Sequence, residues 1–138
     1  MSEENKALTR QLFEGIGAGN LSVIDSLIED NFVEHEALPP EIPPGKQGVK
    51  ALFGMLRSAF PDLEVVIEQM VAEGDLVSAF VVFKGTHKGD FMGIPATGKP
   101  VAINVSDLLR FKNGKITEHW GVMDMAGLMQ QLGVGGAP

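Results

Sequence analysis

Cysteine and tyrosine are both absent from the 138-residue chain. Without cysteine there are no disulfides, no thiolate nucleophile and no Cys-ligated zinc or iron-sulfur cluster. Without tyrosine there is no phenol to serve as an acid or to line an oxyanion hole. Basic residues are scarce: 11 Lys and Arg stand against 18 Asp and Glu, a net charge of −7. Phosphate-backbone binding runs on clustered Lys and Arg, so no nucleic acid partner is expected. No apolar run approaches the roughly 20 residues of a membrane span, and the charged start Met1-Ser-Glu-Glu-Asn-Lys6 has no signal-peptide core. The expectation is a cytoplasmic protein with no membrane partner. A Gly-rich phosphate loop, a G-x-S-x-G elbow and a His-x-x-x-His pair are all missing. The histidines are only His35, His87 and His119, and nothing in their spacing supports a metal site. No cofactor is expected either.

What is present, 44% hydrophobic and 21% charged residues, is ordinary globular composition. A chain of this length buries about two-thirds of its unfolded surface and needs no staple. One domain spanning 1–138 is expected, with the tail Gly133-Val-Gly-Gly-Ala-Pro138 frayed.

Ala7, Leu8, Leu12, Phe13 and Ile16 recur at helical spacing between Glu3 and Ala18. Asn20 can cap a second, short helix carrying Leu21, Ile24, Leu27 and Ile28, which Asp30-Asn31 should break. Phe32 to Leu38 reads as a short strand and the proline-rich Pro39 to Gly45 as a loop. A third helix is expected over Gln47–Ala59, ended by Pro61. Beyond it the period changes to two, giving strands at Leu63–Ala72, Leu76–Thr86, Val101–Phe111 and Ile116–Asp124, with a closing helical turn over Met125–Leu132. Helices first and an antiparallel meander afterwards mean α+β: three N-terminal helices packed on a curved, mainly antiparallel sheet, a cone-shaped α+β barrel with a small-molecule pocket inside.

Lys112-Asn-Gly-Lys115 is a type I′ hairpin signal and fixes a register. With Asn113 and Gly114 at the tip, Phe111 pairs with Ile116, Leu109 with Glu118 and Asp107 with Trp120. Asp107, Leu109, Glu118, Trp120 and Asp124 then share one face, and Arg110, Thr117 and His119 the other; a bulge would shift this by one residue. An enclosed carboxylate beside an aromatic wall suits proton transfer, because desolvation raises a carboxyl pKa. Each candidate has a plainer reading. Glu118 can be an ion-pair partner of Arg110, Asp124 a helix cap, His35 a loop-edge residue, and His87 a turn-stabilising side chain bonded to backbone. His119 faces away from the favoured side, which suits solvent or an interface.

Ala59-Phe-Pro-Asp-Leu63, Gly85-Thr-His-Lys-Gly89, Phe91-Met-Gly-Ile-Pro-Ala-Thr-Gly98 and Arg110-Phe-Lys-Asn-Gly-Lys-Ile-Thr-Glu-His-Trp120, followed by Asp124, resemble the SnoaL-like polyketide cyclases, or ester cyclases, of the nuclear transport factor 2-like superfamily. The resemblance runs from the first helix to Leu132. It implies a cone-shaped barrel, a homodimer or homotetramer joined through the open sheet face, and an intramolecular aldol condensation on a hydrophobic methyl ester without metal or cofactor. It also implies an acid/base aspartate at Asp124 and a polar partner on the preceding strand, where Asp107 and Arg110 stand. The reading is therefore general acid/base chemistry on a carbonyl or ester substrate, with Asp124 and Asp107 catalytic and Trp120, His87, His35, Glu118 and Arg110 contacting substrate. The alternatives are an epoxide hydrolase or hydratase using Asp107, Arg110 and Asp124, and a non-enzymatic domain that binds a small molecule.

Overall fold

The computed structural model describes residues 2–36 and 38–133. Helix α1 (Ser2–Gly17) has Glu3 and Glu4 in its first turn, where carboxylates offset the helix dipole, and turns Leu12, Phe13 and Ile16 inward. Its C-terminal carbonyls are taken by Arg57, whose Nη2 donates to Gly17 O at 2.7 Å and Ile16 O at 3.2 Å. Helix α2 (Ser22–Leu27) runs directly into β1 (Ile28–Glu34). Helix α3 (Gly45–Ala59) buries Val49, Leu56 and Ala59. The meander is β2 (Glu64–Glu73), β3 (Leu76–Thr86), β4 (Pro100–Lys112) and β5 (Lys115–Met123), and α4 (Met125–Leu132) closes the fold.

The strands form one sheet in the order β1-β5-β4-β3-β2. Only β1 is parallel to its neighbour, β5; every other pair is antiparallel. Val77, Ala79, Val81 and Phe83 of β3 face the helices with Val101, Ile103, Val105, Asp107, Leu109 and Phe111 of β4, all of them buried. The opposite face has no helix among the described residues and exposes Val33, Val71, Phe80 and Val122. This is the expected α+β arrangement. No helix among the described residues is long and apolar enough to cross a membrane.

Several boundaries differ from the sequence reading: β1 ends at Glu34 rather than Leu38, and α3 starts at Gly45 rather than Gln47. The first strand starts at Ile28 rather than Phe32, because Ile28 is buried and already pairs with Ile116. Asp30 and Asn31 do not break the chain but occupy exposed positions in β1, where the register shifts between Ile28 and Val33. At the other end, Gly133 is not frayed: with φ 75° it closes α4 as a left-handed cap, which glycine adopts without steric cost. The rest of the expected tail, 134–138, lies outside the described residues.

Candidate active site

The hairpin tip is as expected, with Asn113 and Gly114 both at positive φ, 52° and 79°. The strand after it carries a bulge. Phe111 pairs with Ile116, but Arg110 pairs with Glu118, so Thr117 has no partner and every later residue of β5 is turned over. The pairs expected from the hairpin alone, Leu109 with Glu118 and Asp107 with Trp120, are therefore corrected to Leu109 with His119 and Asp107 with Gly121. Asp107 keeps its inward place. His119 joins it inside, and Glu118 and Trp120 move to the outer face.

β1 brings the other polar residues. Phe32 is buried and Val33 exposed, so by the period of two Glu34 and Glu36 continue the inward face past the end of the strand. The result is an apolar cavity of about 60 Å³, lined by side chains such as Phe13, Phe53, Phe83 and Leu109, with Glu34, Glu36, Asp107 and His119 as its polar wall. His119 Nδ1–H donates to Glu34 Oε2 at 2.5 Å and Nε2–H to Asp107 Oδ1 at 2.6 Å. Burial by itself would push the imidazolium pKa down, and is the largest single influence. The hydrogen bonds and charges of Asp107 and Glu34 together outweigh it, so the pKa rises from the ordinary 6.5 to about 10. At neutral pH the ring is a fixed cation. Glu36 behaves differently. Its carboxylate accepts no hydrogen bond among the described residues, and burial pushes its pKa above the ordinary carboxyl value; the positive charge of His119 partly opposes this, and the negative charges of Asp107 and Glu34 reinforce it.

Gly121 makes this convergence possible. A methyl group built on it would press on Glu36 Oε1, on His119 Cε1 at 2.7 Å and on Asp107 Oδ1 at 2.8 Å. Glu34, Glu36 and His119 also bring ligand atoms within 4.8 Å of one another, which is metal-site spacing. Ligation requires a neutral ring nitrogen with a free lone pair. Both nitrogens here carry protons held by carboxylates, so these residues fit an ion poorly.

The other sequence candidates are elsewhere. Asp124 does not line the cavity: its Oδ1 accepts the Gly127 N–H at 2.9 Å and caps α4. The inward face expected for Asp124 came from the unbulged register, and its acid/base role from the family resemblance. Replacing it by Ala will cost about 1 kcal/mol of stability, the usual value of a lost N-cap, and leave turnover within a factor of about two. A large loss of kcat in a still-folded Asp124→Ala protein would restore its catalytic role. Arg110, Glu118, Trp120 and His35 do come together, but on the outer face. His35 stacks on Trp120 with centroids 4.6 Å apart and planes 7° from parallel. Its Nε2 lies 2.9 Å from Glu118 Oε2, and Arg110 Nε donates to Glu118 Oε1, also at 2.9 Å. The Arg110 guanidinium sits 5.8 Å from the Trp120 ring centroid and also binds Asp75. Asp107, Arg110 and Asp124 are thus three separate environments and form no hydrolase set. His87 is fully buried beside Phe60, and its Nδ1 accepts the Thr97 N–H at 3.2 Å, which ties down the loop that follows.

Sequence reasoning passed over Glu34, Glu36 and His119. The signal for the two glutamates was there: in Phe32-Val-Glu-His-Glu36 the acids alternate with His35 and follow the apolar Phe32.

Comparison with known proteins gives one answer. Residues 6–132 match the model of the SnoaL-like polyketide cyclase family. The chain is 27% identical over 123 residues to nogalonic acid methyl ester cyclase of Streptomyces nogalater, an alignment covering 88% of this chain and 92% of that protein. It is 30% identical over 130 residues to aklanonic acid methyl ester cyclase of Streptomyces peucetius, covering 91% and 88%. The solved structure of TsrD from Streptomyces laurentii superposes with a TM-score of 0.85 at 26% identity, over 95% of this chain and 96% of that one. With its helices packed against a curved, mostly antiparallel five-stranded sheet and this similarity over nearly its whole length, the chain belongs to the SnoaL-like polyketide cyclase family, a family of enzymes.

Proposed function

We propose that the protein catalyses a cofactor-independent intramolecular aldol closure, or a closely related carbonyl reaction, with Glu36 as the acid/base. One observation carries the reading: a carboxylate with a raised pKa and no hydrogen-bond partner among the described residues stands beside a locked imidazolium at the polar end of an apolar cavity. The similarity to two methyl ester cyclases supports the reaction class.

The Glu36 carboxylate takes the proton from the carbon next to a carbonyl. The carbanion attacks a second carbonyl carbon, forming the C–C bond as the C=O π pair moves onto oxygen. The alkoxide then takes the proton back from Glu36, so nothing is consumed. Negative charge builds on oxygen twice, and the His119 ring, whose N–H groups stay on Asp107 and Glu34, offsets part of it through its charge in a cavity where little water screens the field. Asp107 and Glu34 hold the ring in place. A positioned acid/base supplies roughly 10²- to 10⁴-fold, and holding the substrate folded for attack supplies more. The test is deuterium exchange at the α-carbon of a methyl ketone in heavy water. The wild-type protein should catalyse it and Glu36→Gln should not; equal rates would exclude Glu36 as the base.

We also propose that the protein is a homodimer joined through the outer sheet face. That face exposes Phe80 at 42% and Val122 at 71%, in one row across the sheet through Ser106. Exposed apolar side chains on a face that no helix among the described residues covers support a protein contact. Phe80→Glu should convert the wild-type dimer to monomer in sedimentation equilibrium, and a wild-type monomer at all concentrations would refute the assignment.

A further inference from the structure

Glu36 is the second residue beyond the end of β1, and no bond of the ladder reaches it. The last one between β1 and β5 runs from His35 N–H to His119 O at 2.8 Å. A chain past its last ladder bond is free to turn away from the sheet. Yet the Glu36 carboxylate stays with Asp107 and His119, so close to β5 that a methyl group on Gly121 would press on its Oε1. On the inner face one bond supports it: Glu34 Oε2 accepts the Glu36 N–H at 3.2 Å. That bond fixes the backbone nitrogen and leaves the side chain to be aimed by something else.

The residue between the two glutamates is gripped on the outer face from two directions. The His35 ring lies parallel to Trp120 with centroids 4.6 Å apart, and its Nε2–H donates to Glu118 Oε2 at 2.9 Å. The stack sets the plane of the ring, and the bond sets its direction. Glu118 is held in turn, because its Oε1 accepts from Arg110 Nε, and Arg110 Nη1 donates to both oxygens of Asp75 at 3.0 and 2.8 Å. One polar chain thus crosses the sheet from the β2–β3 turn, over β4 and β5, to the first residue past β1. Successive side chains of an extended segment point to opposite faces, so His35 anchored outward sends Glu34 and Glu36 inward. The His35 and Glu118 side chains are 36% and 30% exposed, and an ion pair this open to water contributes little to stability. Its effect is on placement.

We propose that His35 is a positioning residue for the reaction: its grip on Trp120 and Glu118 from outside the sheet holds the Glu36 carboxylate at the polar end of the cavity. Without it the segment past β1 moves toward solvent, and Glu36 draws away from Glu34, Asp107 and His119, the titratable groups that face it. This rests on the acid/base reading of Glu36, and the experiment reads the carboxylate and the reaction separately. Carboxyl-carbon NMR of glutamate-labelled protein follows the titration of Glu36, assigned by its loss in Glu36→Gln, while deuterium exchange into acetophenone gives kcat and KM. In His35→Ala the Glu36 pKa should fall toward the ordinary carboxyl value, because the burial and the negative neighbours that raise it are weakened. The acid limb of the exchange profile should move down with it. Its kcat should drop about 10- to 100-fold, the range that a misplaced reacting group costs, and KM should change less than about twofold. His35→Gln, which keeps a donor to Glu118, and His35→Phe, which keeps the stack, should each restore part of the loss, and they carry the same comparison if His35→Ala does not fold. If Glu36 titrates in these variants as in the wild type, or an active wild type loses no kcat on the change, the positioning assignment is wrong and the Glu36 reading stands. If the wild type exchanges no ketone while the Glu36 titration still moves in His35→Ala, the acid/base reading falls and the hold of His35 on Glu36 stands.

Discussion

Replacing Glu36 by Gln will lower kcat by roughly 10²- to 10⁴-fold, the contribution of a positioned acid/base, with little change in KM. Glutamine keeps the shape of the side chain and removes the carboxylate that takes the proton, the one on this wall that no His119 N–H holds. The pH profile of the wild type follows from the directions of its pKa shifts. Activity requires Glu36 as carboxylate and therefore rises with pH through a value above the ordinary carboxyl range. It falls again as His119 loses its proton near pH 10. The Glu36→Gln protein should also be more stable than the wild type above that range. A carboxyl whose folded pKa is raised binds more protons folded than unfolded, so its ionisation drains stability as pH rises from the unfolded to the folded pKa. Glutamine has no such cost. An enzyme that gains thermal stability on losing its base has an active site that works against the fold. If Glu36→Gln is both fully active and no more stable, the carboxylate is neither enclosed nor used.

Removing the cation has the opposite sign. His119→Ala leaves Asp107 and Glu34 facing each other across a space they share with no counter-charge, and one partner lost from a buried ionic cluster costs about 3–5 kcal/mol. The ring is only 15% exposed, against 6% for the Asp107 side chain and 14% for Glu34, so little solvent is available to replace it. A histidine whose pKa is raised on folding contributes stability that is complete below its unfolded value of 6.5 and is lost as pH rises toward about 10. Thermal denaturation of the wild type should therefore show a falling midpoint between pH 7 and pH 10, and this component should be missing from His119→Gln. A flat wild-type profile across that window would mean that the ring is not charged in the folded protein.

The local alphabet of this fold was readable: apolar spacing placed α1, α3 and the meander, and Lys112-Asn-Gly-Lys115 fixed the hairpin tip. What defeated the site reading was a single residue. Thr117 lies outside the ladder, yet it has none of the glycine or proline that marks an irregular strand, and its Oγ1 bonds locally to Arg110 O at 3.4 Å. The parity of every side chain beyond it changed with it, so His119 was assigned outward and Trp120 inward. Asp107, before the bulge, was placed on the correct face. Glu34 and Glu36 were missed for a different reason. Their alternation with Phe32 marks their face, but the strand bearing them pairs with β5, the last strand in sequence, and a pairing between distant segments leaves no local trace of which groups that face meets.

The bulge has a meaning for how such pockets change over generations. Loss of the Thr117 codon would remove the bulge yet leave Glu118, His119 and Trp120 with the partners and faces they now have. Drawing Thr117 into the ladder opposite Arg110 would instead carry the imidazole to the outside and bring the indole and Glu118 over the cavity. Two barrels of the same fold, one with a charged carboxylate-imidazolium wall and the other with an aromatic floor, would then differ only in whether one residue stands inside the ladder, so in this architecture the bulge is itself a determinant of pocket chemistry.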